Sequence, residues 1–173
     1  RLAELQERLS SLGRAVRWMR SDQIHLTLKF LGEVPDEKVP SVCQAAATVA
    51  GEYGPFELEL RGTGCFPPGG QARIVWAGII DPPQTLIDCQ RACEQACAEL
   101  GFKKENRKYV PHLTVGRVRD SRASREIRAA VECESQFSAG PFVAGELVLF
   151  QSILRPSGPT YHVVSRAGLG GGG

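Results

Sequence analysis

Two stretches of this chain, HLTLKFLGE from residue 25 and HLTVGRVRD from residue 112, open with the same His-Leu-Thr followed by an aliphatic residue. The chain has three histidines, so two of them head the same tetrapeptide. On an extended strand side chains alternate faces, so His25 and Thr27 share one face and leave Leu26 and Leu28 for the other. His112 and Thr114 share a face in the same way, opposite Leu113 and Val115. Imidazole has an intrinsic pKa of about 6.5, so one ring can be held protonated as an acid while another stays neutral as a base. Threonine hydroxyls donate hydrogen bonds without adding fixed charge. That suits the non-bridging oxygens of a phosphate whose negative charge grows in the transition state. Two such pairs facing one ligand are what in-line displacement at phosphorus asks for. Arg117, just after the second motif, and Arg73 or Lys29 are the cations placed to steer or clamp a phosphodiester. Polar His and Thr on one face of otherwise apolar strands, in both copies, are costly to bury without a task. The third histidine, His162, has no threonine in register and reads as structural.

The elements that must position these residues follow from periodicity. Leucines at helical spacing predict a helix over 2–13, closed by Gly13 as a C-cap. DEKVPSVCQAAATVAGE, from Asp36, begins with acids, turns alanine-rich and predicts a second helix with Pro40 near its first turn. FELELRG from Phe56 alternates apolar and charged residues as a half-buried strand, and RIVWAGI from Arg73 reads as a buried one. A long helix spans 83–101, DSRASREIRAAVE forms another after the second motif, and ELVLFQSIL and TYHVVSRA are two more strands. The order recurs between the halves: the paired histidines stand 87 residues apart, and Gly54-Pro55-Phe56 returns as Gly140-Pro141-Phe142. Two copies are too few for a solenoid, so a pseudo-twofold pair of lobes is expected, with the motifs at 25–28 and 112–115 brought to one cleft. By the same comparison, the helix at 83–101 follows a strand and the helix at 2–13 does not, so a first strand is expected to be missing. One bilobal domain over 1–167 with a disordered glycine-rich tail over 168–173 completes the expectation.

Bulk composition narrows the classes. With 42% hydrophobic and 23% charged residues the chain has ordinary globular values. A net charge of +2 is too small for a protein that coats nucleic acid, though not for one with a local positive patch. No apolar run reaches the roughly 20 residues of a membrane helix and no cleavable leader opens the chain, so a cytoplasmic monomer that does not touch membrane is expected. Cys89, Cys93 and Cys97 repeat every four residues and so line one side of a helix, as small apolar side chains facing a core. No Cys-x-x-Cys pair is present to hold zinc, and no metal or other cofactor is expected.

HLTLKFLGEV and PHLTVGRV closely resemble the paired HxTx motifs of the 2H phosphoesterase superfamily. The flanking text, with Phe-Leu-Gly after the first motif, Phe66 and then Arg73-Ile-Val-Trp76, and Asn106-Arg107 and Pro111 before the second, is similar to its LigT/ThpR branch. The resemblance covers nearly the whole chain. It implies an α+β fold of two antiparallel sheets with outer helices around a central cleft, and activity as an RNA 2′,3′-cyclic phosphodiesterase. It also implies His25 as proton donor, His112 as proton acceptor, and Thr27 and Thr114 as phosphate-binding groups. The product would be a 2′-phosphomonoester, the partner an RNA or oligonucleotide ending in a 2′,3′-cyclic phosphate, and the reverse reaction 2′-5′ joining of RNA ends. Members of the branch usually begin with an apolar strand, which agrees with the gap inferred from the repeat. The competing reading is an RNA-end binding module without useful turnover. Intact histidines in both motifs speak for the enzyme, since binding alone would be served as well by Lys or Arg. Phe66 and Tyr161 are aromatics that could stack a base or simply fill the core.

Overall fold

The computed structural model describes residues 1–155 and 158–170. Its elements are α1 (Leu2–Arg8), β1 (Val16–Trp18), α2 (Val39–Glu52), β2 (Phe56–Phe66), β3 (Ile74–Ile79), α3 (Gln84–Glu99), β4 (His112–Val118), α4 (Ser124–Cys133), β5 (Ser138–Ala144), β6 (Glu146–Arg155) and β7 (Gly158–Gly168). They fall into two compact units, each assembled from both sequence halves: Arg1–Thr27, Leu58–Pro82 and Val110–Phe142 make the first, and Leu28–Glu57, Pro83–Tyr109 and Val143–Gly173 the second. The fold is α+β, as the repeat and the resemblance imply. The segments are exchanged, however: His25, Thr27, His112 and Thr114 all lie in the first unit rather than one motif in each.

The first unit is built on a five-stranded sheet ordered β1-β4-β3-β2-β5. Alternation along β3 sends Val75, Ala77 and Ile79 to the core, all 5% exposed or less. Helix α4 packs on that face because Ile127 and Val131, one turn apart, are both buried, each worth about 1.5–3 kcal/mol on leaving water. Two hydrogen bonds fix it there: Thr63 Oγ1 donates to the Val131 carbonyl at 2.8 Å, and Ser124 Oγ accepts from the Ala72 N–H at 2.9 Å. Helix α1 buries Leu5, and Gln6 Nε2 donates to the carbonyls of both Met19 and Val115, tying the helix to the strands beside it.

In the second unit β6 and β7 form an antiparallel pair on which α2 packs, with α3 against α2. Cys89 and Cys97 are buried on one side of α3 and all six cysteines are unbridged, which is the core role their spacing predicts. Lys29 reaches Glu94 of α3 at 2.8 Å in a largely buried ion pair and also donates to the Lys103 carbonyl. Burial raises the Tyr109 phenol far above its ordinary value, with the thiols of Cys89 and Cys93 adding to the effect.

The structure departs from the sequence expectations in identifiable places. Helix α1 ends at Arg8 and the chain continues as a 3₁₀ segment, Ser10–Ala15, in which Gly13 takes φ +52°. Serine is a weaker helix former than the leucines, alanine and glutamates before it, and with Ser10 and Ser11 in succession the helix closes at Leu9, so Gly13 is not its C-cap. Two strands escape the sequence pattern. β1 has three residues, too few for a period, and β5 carries Gly140-Pro141, residues that a sheet tolerates at its edge, where β5 lies. The first motif is not a ladder strand but makes a single bridge, described below. Nor is the start of the tail loose: Leu169 is buried at 7% exposure, its N–H bonds the Gly145 carbonyl and that of Gly170 bonds Ala50, while 171–173 lie outside the described residues. Among the described residues no helix is long and apolar enough to cross a membrane.

Candidate active site

Strand β4 carries the second motif, and its two neighbours supply the rest of the site. On one side it pairs with β3, setting Trp76 against Thr114 and Gly78 against His112. On the other side it pairs first with β1, Arg17 against Arg117 and Trp18 against Gly116. After Met19 the chain turns away from β4 through a 3₁₀ segment, Ser21–Gln23, and then returns for one antiparallel bridge, Leu26 against Leu113. Antiparallel pairing reverses order on either side of a bridge, so His25 stands across from Thr114 and Thr27 across from His112. Opposed residues share a face. Directly opposed Cβ atoms lie about 4.5–5.5 Å apart and diagonal ones about 7–8 Å, so the two imidazoles and two hydroxyls form one compact quartet. Leu26 and Leu113 take the opposite face, Leu113 with 7% exposure.

A register shift brings Arg117 to the same face. Trp76 pairs with Thr114 but Val75 with Gly116 and Ile74 with Arg117, so β4 carries one extra residue at Val115. Without that bulge Arg117 would alternate to the core side. With it, Arg117 joins Ile74, Trp76, Thr114 and His112, which is how a bulge re-aims a side chain. Gly116 lies on the core side, where Val16 and Trp18 leave no room: a Cβ there would sit 2.7 Å from Val16 Cγ1 and 2.9 Å from the Trp18 ring.

The two imidazoles are held alike. His25 Nδ1 lies 2.8 Å from the Gln23 carbonyl and His112 Nδ1 lies 2.7 Å from the Val110 carbonyl, the residue two before in each case. A carbonyl oxygen only accepts, so Nδ1 carries the proton in both rings, and Nε2 carries a lone pair when the ring is neutral and an N–H when it is charged. The His112 ring also meets Phe66 edge-on at 4.8 Å between centroids and lies 6.4 Å from Trp76. The Trp76 indole is laid over Gly64: a Cβ on that residue would fall 2.2 Å from the ring. These contacts limit the motion of His112 from the side of β2 and β3.

Of the residues singled out by type and spacing, His25, Thr27, His112, Thr114 and Arg117 share this face. Lys29 does not serve as a phosphate clamp, because Glu94 and the Lys103 carbonyl occupy it in the second unit. Arg73 lies just before β3 and is exposed, outside the strand that carries Ile74 and Trp76 to the site face. His162 is exposed on β7 opposite Gln151, and Tyr161 packs edge-on against Phe150, 6.1 Å between centroids. Phe66 belongs to the site through its contact with His112. Sequence reasoning missed Arg17. The alternation Val16-Arg17-Trp18 was the available signal, but three residues are too short to distinguish a strand from a loop.

A face with two tethered imidazoles, two hydroxyls and an arginine can hold a phosphate ester and move protons on either side of it. Comparison with known proteins agrees with that class. The family model "LigT like Phosphoesterase" matches residues 1–76 and 80–161. An RNA 2′,3′-cyclic phosphodiesterase of Methanothermobacter thermautotrophicus is 34% identical over 160 residues, 92% of this chain and 86% of that protein. One from Methanocaldococcus jannaschii is 31% identical over 163 residues, 94% of this chain and 89% of that protein. Among solved structures, TT0787 of Thermus thermophilus superposes with a TM-score of 0.82 at 25% identity, covering 99% of this chain and 91% of that one. E. coli LigT complexed with 3′-AMP gives 0.70 at 26% identity, covering 97% and 91%. The chain belongs to the LigT-like phosphoesterase family, the 2H phosphoesterases.

Proposed function

We propose that this protein is an RNA 2′,3′-cyclic phosphodiesterase that opens the cyclic phosphate by acid–base catalysis between His25 and His112. The observation that carries the reading is the matched tethering of Nδ1 in both rings, on the carbonyls of Gln23 and Val110, in two histidines that the Leu26–Leu113 bridge sets on one face. Neutral His112 takes a proton from water on Nε2 as the oxygen bonds to phosphorus. The bond from phosphorus to the 3′ oxygen breaks, and His25, charged, delivers its Nε2 proton to that oxygen. The product has a 2′-phosphate and a 3′ hydroxyl, and the proton taken by one imidazole balances that given by the other. Thr27 and Thr114 donate to the non-bridging oxygens as charge builds on them, and Arg117 offsets the charge of the diester. With the 5′ hydroxyl of a second RNA end in place of water as nucleophile, the same ring opening would join the ends through a 2′-5′ linkage, the bond from phosphorus to the 3′ oxygen breaking as before, and the reverse step would cleave that linkage.

The test is incubation with a nucleoside 2′,3′-cyclic phosphate in excess chelator, the isomeric products being separated by phosphate position. Formation of the 2′-phosphate is expected, at a rate that added divalent ions leave unchanged, because imidazoles supply both proton transfers. Release of the 3′-phosphate would reverse the leaving oxygen, and activity that vanished with chelator and returned with a metal would overturn the mechanism.

A further inference from the structure

The site face extends past the quartet to a second arginine that none of the proposed chemistry uses. Arg17 pairs directly with Arg117 across β1 and β4, while Val16, its neighbour, goes to the core with 3% exposure. Opposed residues share a face, so Arg17 lies on the site side together with Arg117, Thr114 and His112. Like charges directly opposed on a sheet are unfavourable. Among the described residues no carboxylate forms an ion pair with Arg17 to relieve this one. Arg17 is half-buried on its strand, which fixes its backbone and leaves its guanidinium to reach outward.

Distance separates its task from that of the quartet. Across the bulge Arg117 stands two positions beyond Thr114 in the register of β3, about 6.6 Å at strand rise, and Arg17 is its partner on β1, about 4.8 Å away in the hydrogen-bonding direction. A phosphate held between Thr27 and Thr114 lies on the diagonal between the two rows, so the Arg17 and Arg117 positions stand about equally far beyond it, together at one end of the quartet. A cyclic mononucleotide has only that one phosphate. An oligonucleotide end has a second, one nucleotide upstream, and a paired guanidinium site beyond the first phosphate matches it in charge and in bidentate geometry.

We infer that Arg17 binds the phosphodiester upstream of the cyclic phosphate and makes the enzyme select oligonucleotide ends over mononucleotides. This rests on the cyclic phosphodiesterase reading above. The experiment compares kcat/KM for a nucleoside 2′,3′-cyclic phosphate and for a dinucleotide ending in the same group, in wild type, Arg17→Gln and Arg17→Lys, over a series of salt concentrations. Wild type is expected to prefer the dinucleotide by about tenfold, the scale of a hydrogen bond to a charged group. Its log–log salt slope on the dinucleotide should be steeper by about 0.7, one extra phosphate contact on a single strand. Arg17→Gln should abolish most of the preference and the extra slope, through KM more than kcat, and Arg17→Lys should keep the slope. A wild type without preference, or an Arg17→Gln variant that changes both substrates by the same factor, would overturn the assignment. The wild-type salt series stands even if Arg17→Gln does not fold. A wild type that turned over neither substrate would instead overturn the cyclic phosphodiesterase reading itself, and this inference with it.

Discussion

Leu26 faces Leu113 across a single antiparallel bridge, and that pairing sets the order of the whole site: His25 across from Thr114, Thr27 across from His112. Each imidazole is thereby given a hydroxyl neighbour from the other motif, and the two motifs meet head to tail. A slip of one residue at this bridge would turn His25 and Thr27 to the core and Leu26 to the ligand.

The assignment of acid and base has a leaving-group test. Each role is worth about 10²- to 10⁴-fold, so His25→Ala and His112→Ala should both be severely impaired on a cyclic ribose phosphate. On a nitrophenyl phosphodiester that the wild type accepts, the leaving group needs little protonation. His25→Ala should then recover most of its loss and His112→Ala should not. The opposite ranking would exchange the roles, and equal impairment on both substrates would reduce the histidines to phosphate binding.

The same roles shape the pH dependence. A base must be deprotonated, which gives kcat/KM its acidic limb, and an acid must be protonated, which gives the basic limb. The residual activity of His112→Ala should lose the acidic limb and that of His25→Ala the basic one. Profiles of unchanged shape in both variants would contradict the assignment.

Gly64 is expected to tolerate no side chain. Its Cβ would fall 2.2 Å from the Trp76 indole, which pairs with Thr114's strand and reaches towards His112. Gly64→Ala should lower stability by about 1–3 kcal/mol, the usual scale of overpacking, and should also reduce turnover because the displaced indole disturbs His112. Denaturant midpoints and kcat read the two effects. A variant as stable and as active as wild type would show that the ring has another place to go.

Tyr109 makes stability sensitive to alkali. Burial raises its phenol above the ordinary value of 10.0. The folded protein therefore keeps a proton that the unfolded chain releases once pH exceeds that value. Where the unfolded state binds fewer protons, stability falls as pH rises. Its contribution is complete below the unfolded pKa and is lost progressively above it. Tyr109→Phe should reduce the fall in denaturant midpoint across that range, leaving the parts due to Tyr53 and to the thiols of Cys65, Cys93 and Cys97, which are also raised. An unaltered slope would mean that Tyr109 ionises freely in the folded protein.

The quartet was legible from one dimension. Alternation at period 2 puts His25 with Thr27 and His112 with Thr114 once each segment is extended, and the repeat of one tetrapeptide carries the inference that they work together. The α2, α3, β2, β3 and β6 segments were equally readable, because each is long enough for its apolar period to be counted. Tertiary structure decided the rest through pairings distant in sequence. Which unit each motif joins follows from segment exchange between the halves, and no local pattern encodes it. Arg117 reaches the site only because β4 carries an extra residue opposite β3, a property of two strands together. Lys29 was a candidate clamp until Glu94, on a helix 65 residues away, neutralised it. Arg17 was invisible because a three-residue strand has no period of its own: its face is set by the partner strand that supplies its hydrogen bonds.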